Sequence, residues 1–242
     1  MTGLAQEQVS AISRLFSSSV VRELARKGKS PLFAKLARES LLSDFLTKRT
    51  PVYAVFDAAF SILKQEANRH EYVYKAALTE KVLLGTHSLQ TASMLTEFRV
   101  GECKADVAIL NGTSTVFEVK SERDSLSRLE RQLEAYSKVF AKINVIVGEN
   151  HVSAVKGSVS DEVGIMILSK RHQISTLRDA VERTDRVSPA AIFDSIRIEE
   201  AKLILSSLSV SIPKVPNTEL HAALRELFVK LDPHVAHAGM VT

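Results

Sequence analysis

The chain has 242 residues, 45% of them hydrophobic and 25% charged, a length and composition that suit one large globular domain or a core with helical additions. It has no uninterrupted apolar run of transmembrane length, and MTGLAQEQVS lacks the basic flank and apolar core of a signal peptide. The single Cys103 can form neither an intrachain disulfide nor a cysteine-rich zinc site, so a cytoplasmic protein with no membrane association is expected.

The net charge of +4 is unevenly placed. Residues 1–50 hold nine Lys/Arg against four Asp/Glu, while the remainder holds 23 against 24. A basic arm on a near-neutral core suits a polyanion such as nucleic acid. A solvated helical surface is the plain alternative.

Residues 5–48 read as helical: Val20, Val21 and Leu24, then Phe33, Leu36, Ala37, Leu41 and Phe45 recur at three- and four-residue spacing, with breaks at Gly28 and Pro31. Further helices are expected over 52–66 and 71–84, the second ending at Gly85. The period then changes. Leu95–Val100, Ala105–Leu110 and Thr115–Lys120 read as short strands, with a turn signal at Asn111-Gly112. Ser121 and Asp124 fit a helix start, and Leu126, Leu129, Leu133, Tyr136 and Phe140 form its apolar stripe. Ile143–Val147 and Gly164–Leu168 read as a fourth and a fifth strand. Beyond Lys170, helices are expected near 175–184, 189–207 and 218–231, with Asn217 as a cap and a frayed tail from Pro233.

The stretch ADVAILNGTSTVFEVK, from Ala105 to Lys120, carries the chemistry. Asp106, Ala108 and Leu110 share one strand face, and Val116, Glu118 and Lys120 share a face of the next. Asp106 and Glu118 are equidistant from Gly112, so they oppose each other if the loop has an odd number of residues, such as Asn111–Thr113. A two-residue Asn-Gly turn would oppose Asp106 to Phe117 and separate the carboxylates. Two close carboxylates repel unless a cation lies between them. Mg²⁺ takes oxygen ligands, polarises a phosphoryl oxygen and activates water. Lys120 can orient that water or neutralise developing charge, and Val119, packing the other way, can offer its carbonyl. The bland reading is a wet hairpin face with a solvated Glu118–Lys120 pair. The apolar Ala108 and Leu110 beside Asp106 argue against it.

These residues resemble the PD-(D/E)XK nuclease superfamily. An aspartate on the second strand is followed by Glu118-Val119-Lys120 on the third, then by a helix with Gln132 and Tyr136 in a Gln-x-x-x-Tyr pattern. The wider wording, LTEFRVGECKADVAILNGTSTVFEVKSERDSLSRLERQLEAYSKVF, is similar to an uncharacterised bacterial branch of that superfamily. The resemblance covers about 70–170. It implies an α/β fold: a restriction-endonuclease-like core, with a central mixed sheet flanked by helices, and additional N-terminal and C-terminal helices. The division is then a basic helical region at 1–69, the core at 70–170 and a helical region at 171–242. The resemblance implies Asp106 and Glu118 as ligands of Mg²⁺ or Mn²⁺, with the Val119 carbonyl, and Lys120 as catalytic lysine. Gln132 and Tyr136 would position substrate or the metal ligands. Glu80 or Glu97 could supply a third acid. Arg99, Lys104, Arg128 and Arg131 are candidates for nucleic-acid backbone, and Glu97, Arg99 and Lys104 could instead pair among themselves.

A metal-dependent nuclease acting on DNA ahead of RNA is therefore expected. The alternative is a catalytically silent nucleic-acid-binding or partner-binding protein on the same fold. Cutting both strands of a duplex favours a homodimer. His234 and His237 stand at near-ligand spacing in the tail and receive no role. His151, after the fourth strand, is a weak candidate for reaching substrate. No nucleotide-binding glycine motif is present.

Overall fold

The computed structural model describes residues 4–40, 42, 50–87 and 89–242. Leu41, Phe45, Lys48 and Arg49 of the N-terminal reading lie outside the described residues. The first helices are α1 (Gln6–Leu15), α2 (Ser18–Lys27) and α3 (Pro31–Glu39). The expected punctuation makes the joint between the last two. Gly28 ends α2 at φ 64°, a left-handed conformation that favours glycine. Ser30 then caps α3 by accepting the Phe33 N–H, with Pro31 at the first helical position. Next come α4 (Val52–Leu63) and α5 (Glu71–Leu78), which runs through a π-helical turn (Thr79–Leu83) into the short α6 (Leu84–Thr86).

Six strands form one mixed sheet in the order β1-β2-β3-β4-β5-β6: Ser93–Val100, Cys103–Leu110, Ser114–Lys120, Lys142–Val147, Gly164–Leu168 and Ile174–Arg178. β1, β2 and β3 are antiparallel neighbours, β3, β4 and β5 are parallel, and β6 returns antiparallel to β5. The parallel steps need crossovers. α7 (Leu129–Ser137) provides the first, and α8 (Val152–Ser158) the second. The chain closes with α9 (Pro189–Ser195), α10 (Ile198–Ser207), α11 (Asn217–Val229) and α12 (Pro233–Val241).

Alternation along the strands divides the core into two apolar layers. Val107, Ile109, Phe117, Val119 and Ile146 pack with buried residues of α1 to α5, such as Ile12, Leu36, Leu63 and Tyr74. Ala108, Val116, Val145, Val147 and Ile165 pack with α7, α8 and the C-terminal helices. The sheet is thus covered on both faces, which is why its central strands read as almost continuously apolar.

Five sequence expectations are corrected. Residues 175–184 are not a helix: Ile174–Arg178 is an edge strand paired to β5, where β-branched Ile174 and Thr176 suit a pleated surface. The helix expected over 189–207 is two, because Ile196 and Arg197 leave the helical path and a new helix starts at Ile198, where the Glu200 side chain accepts the Arg197 N–H. The tail from Pro233 is ordered as α12, capped by Asp232, and buries Ala236 and His237. Ser121 and Asp124 do not start a helix. Asp124 accepts from both the Ser121 N–H and hydroxyl in a tight turn, and α7 begins five residues later. Asn217, expected as a cap, is the first helical residue of α11, with Pro216 in the capping position.

Candidate active site

The β2–β3 register decides whether the acidic residues meet. Leu110 pairs with Ser114 and Val107 with Phe117, so the loop is the three-residue Asn111–Thr113 with Gly112 at φ 65°. Continuing that register sets Asp106 beside Glu118, the odd-loop arrangement. The ladder, however, stops at Val107. The next free backbone donor on β3, the Val119 N–H, is taken by the Asp106 side chain at 2.8 Å. A buried N–H needs a partner, and here a carboxylate replaces the missing strand carbonyl.

The interruption has a cause on β1. Glu97 has φ 58° and is skipped in the β1–β2 ladder, which passes from Thr96–Val107 to Phe98–Ala105. Leu95 and Phe98 pack in the same apolar layer despite their odd spacing, as do Ala105 and Ala108. Both strands therefore change face at Glu97 and Asp106. A left-handed backbone at a non-glycine residue costs about 1–3 kcal/mol and persists where surrounding contacts over-determine it. Here those contacts are ion pairs of Glu97 with Lys75 and Lys104.

Glu118 is 2% exposed and Lys120 5%. Lys120 Nζ lies 2.7 Å from Glu118 Oε1 and 2.9 Å from Gln132 Oε1. Gln132 Nε2 donates to Glu118 Oε1 at 2.6 Å, and the Tyr136 hydroxyl lies 2.8 Å from Glu118 Oε2 and 3.0 Å from the Lys104 carbonyl. Gln132 and Tyr136, four apart, reach the same carboxylate from one face of α7. Burial, then the Glu118 charge, raises the Tyr136 hydroxyl pKa and keeps it a neutral donor. Burial, followed by the charge of Glu118, raises the Asp106 pKa to about 8. An apposed pair of carboxylates in this position favours a cation.

A cleft of roughly 390 Å³ exposes these groups, with Val119 and Lys104 in its wall and Arg128 and Arg131 exposed at its edge. Arg99 does not line it. The third-acid expectation divides. Glu80 is exposed and paired with Lys81, and it does not join Asp106. Glu97 does, and Glu71, in the first turn of α5, comes with it: carboxylate oxygens of Glu71, Glu97 and Asp106 lie within 4.8 Å of one another. Lys75 pairs with both Glu71 and Glu97. Burial works against its charge, but those two hydrogen bonds and the field of Asp106 outweigh it, so its pKa is raised. Glu71 and Lys75 were missed from sequence. The one local signal was an acid and a base four apart at a helix start. Beyond Glu71 the cleft opens into a groove of roughly 1050 Å³ between α1–α2 and α5, lined in part by Ser17, Ser18 and Tyr72. His151 does not line the cleft or this groove.

A sequence model of the bacteriophage P4 protein cII family matches residues 64–230. The chain belongs to the bacteriophage P4 protein cII family. The matched range takes in every cleft residue named above and leaves out α1 to α4 and α12. Protein cII of Enterobacteria phage P4 is 36% identical over 80 residues, which are 32% of this chain and 30% of that protein. The chain's match thus spans less than a third of that cII protein. No solved structure matches. Among the described residues, no helix is long and apolar enough to cross a membrane.

Proposed function

We propose that this protein is a Mg²⁺- or Mn²⁺-dependent nuclease of the PD-(D/E)XK type that hydrolyses phosphodiester bonds in DNA. The observation that carries the reading is the three-residue hairpin loop, which brings Asp106 and Glu118 to one cleft with Lys120. The donor set fits the ion: carboxylates of Asp106 and Glu118 and the Val119 carbonyl are hard oxygen ligands, with Glu71 and Glu97 adjacent. A divalent ion held there would polarise a phosphoryl oxygen and make a water a stronger nucleophile.

The chain's own groups supply the rest. Gln132 and Glu118 fix the Lys120 ammonium at the cleft wall, where it can meet charge developing on the scissile phosphate. Tyr136 fixes Glu118 from its other oxygen, so the carboxylate does not need to reorganise during the reaction. Arg128 and Arg131, exposed at the cleft edge, would meet the flanking phosphates. A duplex has two antiparallel strands, so a homodimer is the expected species for cutting both. A cytoplasmic location accords with a DNA substrate and a free thiol at Cys103.

One observation favours a second reading. Both Glu118 oxygens are engaged by Lys120, Gln132 and Tyr136, as they would be in a polar core without metal. That reading is a silent nucleic-acid-binding or partner-binding protein. Incubation of matched double-stranded DNA, single-stranded DNA and RNA with Mg²⁺ or Mn²⁺, with Asp106→Ala alongside, separates the two. The nuclease reading expects metal-dependent cleavage of DNA that the substitution abolishes. Equal inactivity of both proteins on every substrate would leave the second reading.

A further inference from the structure

The cation nearest the acidic residues is one the chain supplies itself. Lys75 projects from α5 and pairs with Glu71, one turn before it, and with Glu97 across on β1. Glu71, Glu97 and Asp106 bring carboxylate oxygens within 4.8 Å of one another. Lys75 is therefore inside the cluster, and its stem is largely covered. Glu97 is bound on its other oxygen by Lys104. Lys120 is committed to Glu118 and Gln132. Lys75 and Lys104 are the lysines paired to this three-acid group among the described residues.

We propose that Lys75 is an internal counter-ion that holds the metal-free site together, and that a divalent cation binds by displacing its ammonium from Glu71 and Glu97. The inference rests on the metal-site reading given above and adds the device that sets its affinity. Three carboxylates this close repel one another, which favours a cation among them. In the metal-free protein the Lys75 ammonium pairs with two of them, Glu71 and Glu97, and with Lys104 it holds Glu97 in its left-handed conformation. A dication and an ammonium compete for the same oxygens, because like charges a few ångströms apart repel. Lys75 has a flexible four-carbon stem and lies beside the broad groove between α1–α2 and α5, so it has somewhere to go. Metal affinity is then lowered by the work of removing it, and the site stays closed to weakly binding cations.

The test is Mn²⁺ binding by isothermal titration calorimetry to the full-length wild type, Lys75→Gln and Asp106→Asn. It is paired with acetic-anhydride labelling of the wild type read by mass spectrometry, with and without Mn²⁺. The expected result is at least tenfold tighter Mn²⁺ binding by Lys75→Gln, and labelling of Lys75 that rises on metal addition while that of exposed Lys138 does not change. Equal or weaker binding by Lys75→Gln, or Lys75 labelling that stays constant while calorimetry records bound Mn²⁺, would overturn the inference and leave the metal site standing. Absence of Mn²⁺ binding in both wild type and Lys75→Gln would overturn the metal reading itself, and this inference with it. The labelling arm uses the wild type alone, so a Lys75→Gln variant that failed to fold would still leave a decision.

Discussion

Asp106 is a carboxyl whose surroundings oppose its charge. Burial and then Glu118 hold its pKa at about 8, above the ordinary carboxylate value of 3.8. The folded, metal-free protein therefore binds more protons than the unfolded chain between those values, and its stability falls as pH rises through that window. Asp106→Asn removes the titration while keeping an oxygen for the Val119 N–H. The melting temperature of the variant without metal should exceed that of wild type at pH 8, and by much less at pH 5. An equal loss at both pH values would mean that Asp106 is there for its hydrogen bond alone. The five residues of the motif were legible in the sequence because each relation is short: a symmetric spacing about Gly112, an alternation along β3 and a four-residue step on α7. Glu71 and Lys75 were not, since their contact with β1 and β2 depends on how α5 docks on the sheet. Of the two third-acid candidates, Glu97 joins Asp106, while Glu80 lies more than two turns past Glu71.

The elements show the same division between local and distant causes. β1 to β5 were readable because their apolar runs are bounded by turn residues. β6 was not, because Leu177 and Val181 mimic a helical step and only pairing to β5 decides for a strand. The last helix did have a local signal, Asp232 as cap with Pro233 at the first position. What holds it is distant. His237 is buried and its Nε2 lies 2.9 Å from the Ser114 hydroxyl, which in turn accepts the Ala141 N–H. Burial favours the neutral ring, whose tautomer decides which of the two groups donates. Burial lowers its pKa below 6.5. The contribution of this bond is complete above the unfolded value and is lost as pH falls through the folded one. In urea titrations the stability of wild type should drop between pH 7 and pH 5 by more than that of His237→Gln, and parallel curves would refute this role for the histidine.

Across the whole molecule, the N-terminal helices and the sheet share a core and a buried clasp. Arg69, 1% exposed, binds the carbonyls of Lys64, Leu168 and Ser169 and the carboxylate of Glu122, two residues past Lys120. The described helices of the basic arm, α1 to α3, thus pack against the sheet that carries the cleft. The arm's exposed Arg22, Arg26, Lys27 and Lys29 lie on α2 and the turn after it, and the N-terminal end of α2 borders the groove leading to Glu71. If these four contact phosphates, changing all of them to glutamine should flatten the slope of log affinity for duplex DNA against log salt by about 3 to 4. An unchanged slope would make the stripe a solvated surface. Charge counting located this arm, but it could not show that the arm packs on the sheet, since that depends on apolar residues of α1 to α5 meeting Val107, Ile109 and Phe117.

In the proposed metal-dependent hydrolysis Glu118 acts through its charge. Glu118→Gln preserves its shape and most of its hydrogen bonds, so the most direct measurement is the rate of duplex DNA cleavage in Mn²⁺ by this variant and by wild type, with folding checked by circular dichroism. The expected result is a folded variant whose cleavage falls by about a hundredfold or more, in line with losing a charge that stabilises the transition state. A folded Glu118→Gln protein that cleaves as fast as wild type would contradict it.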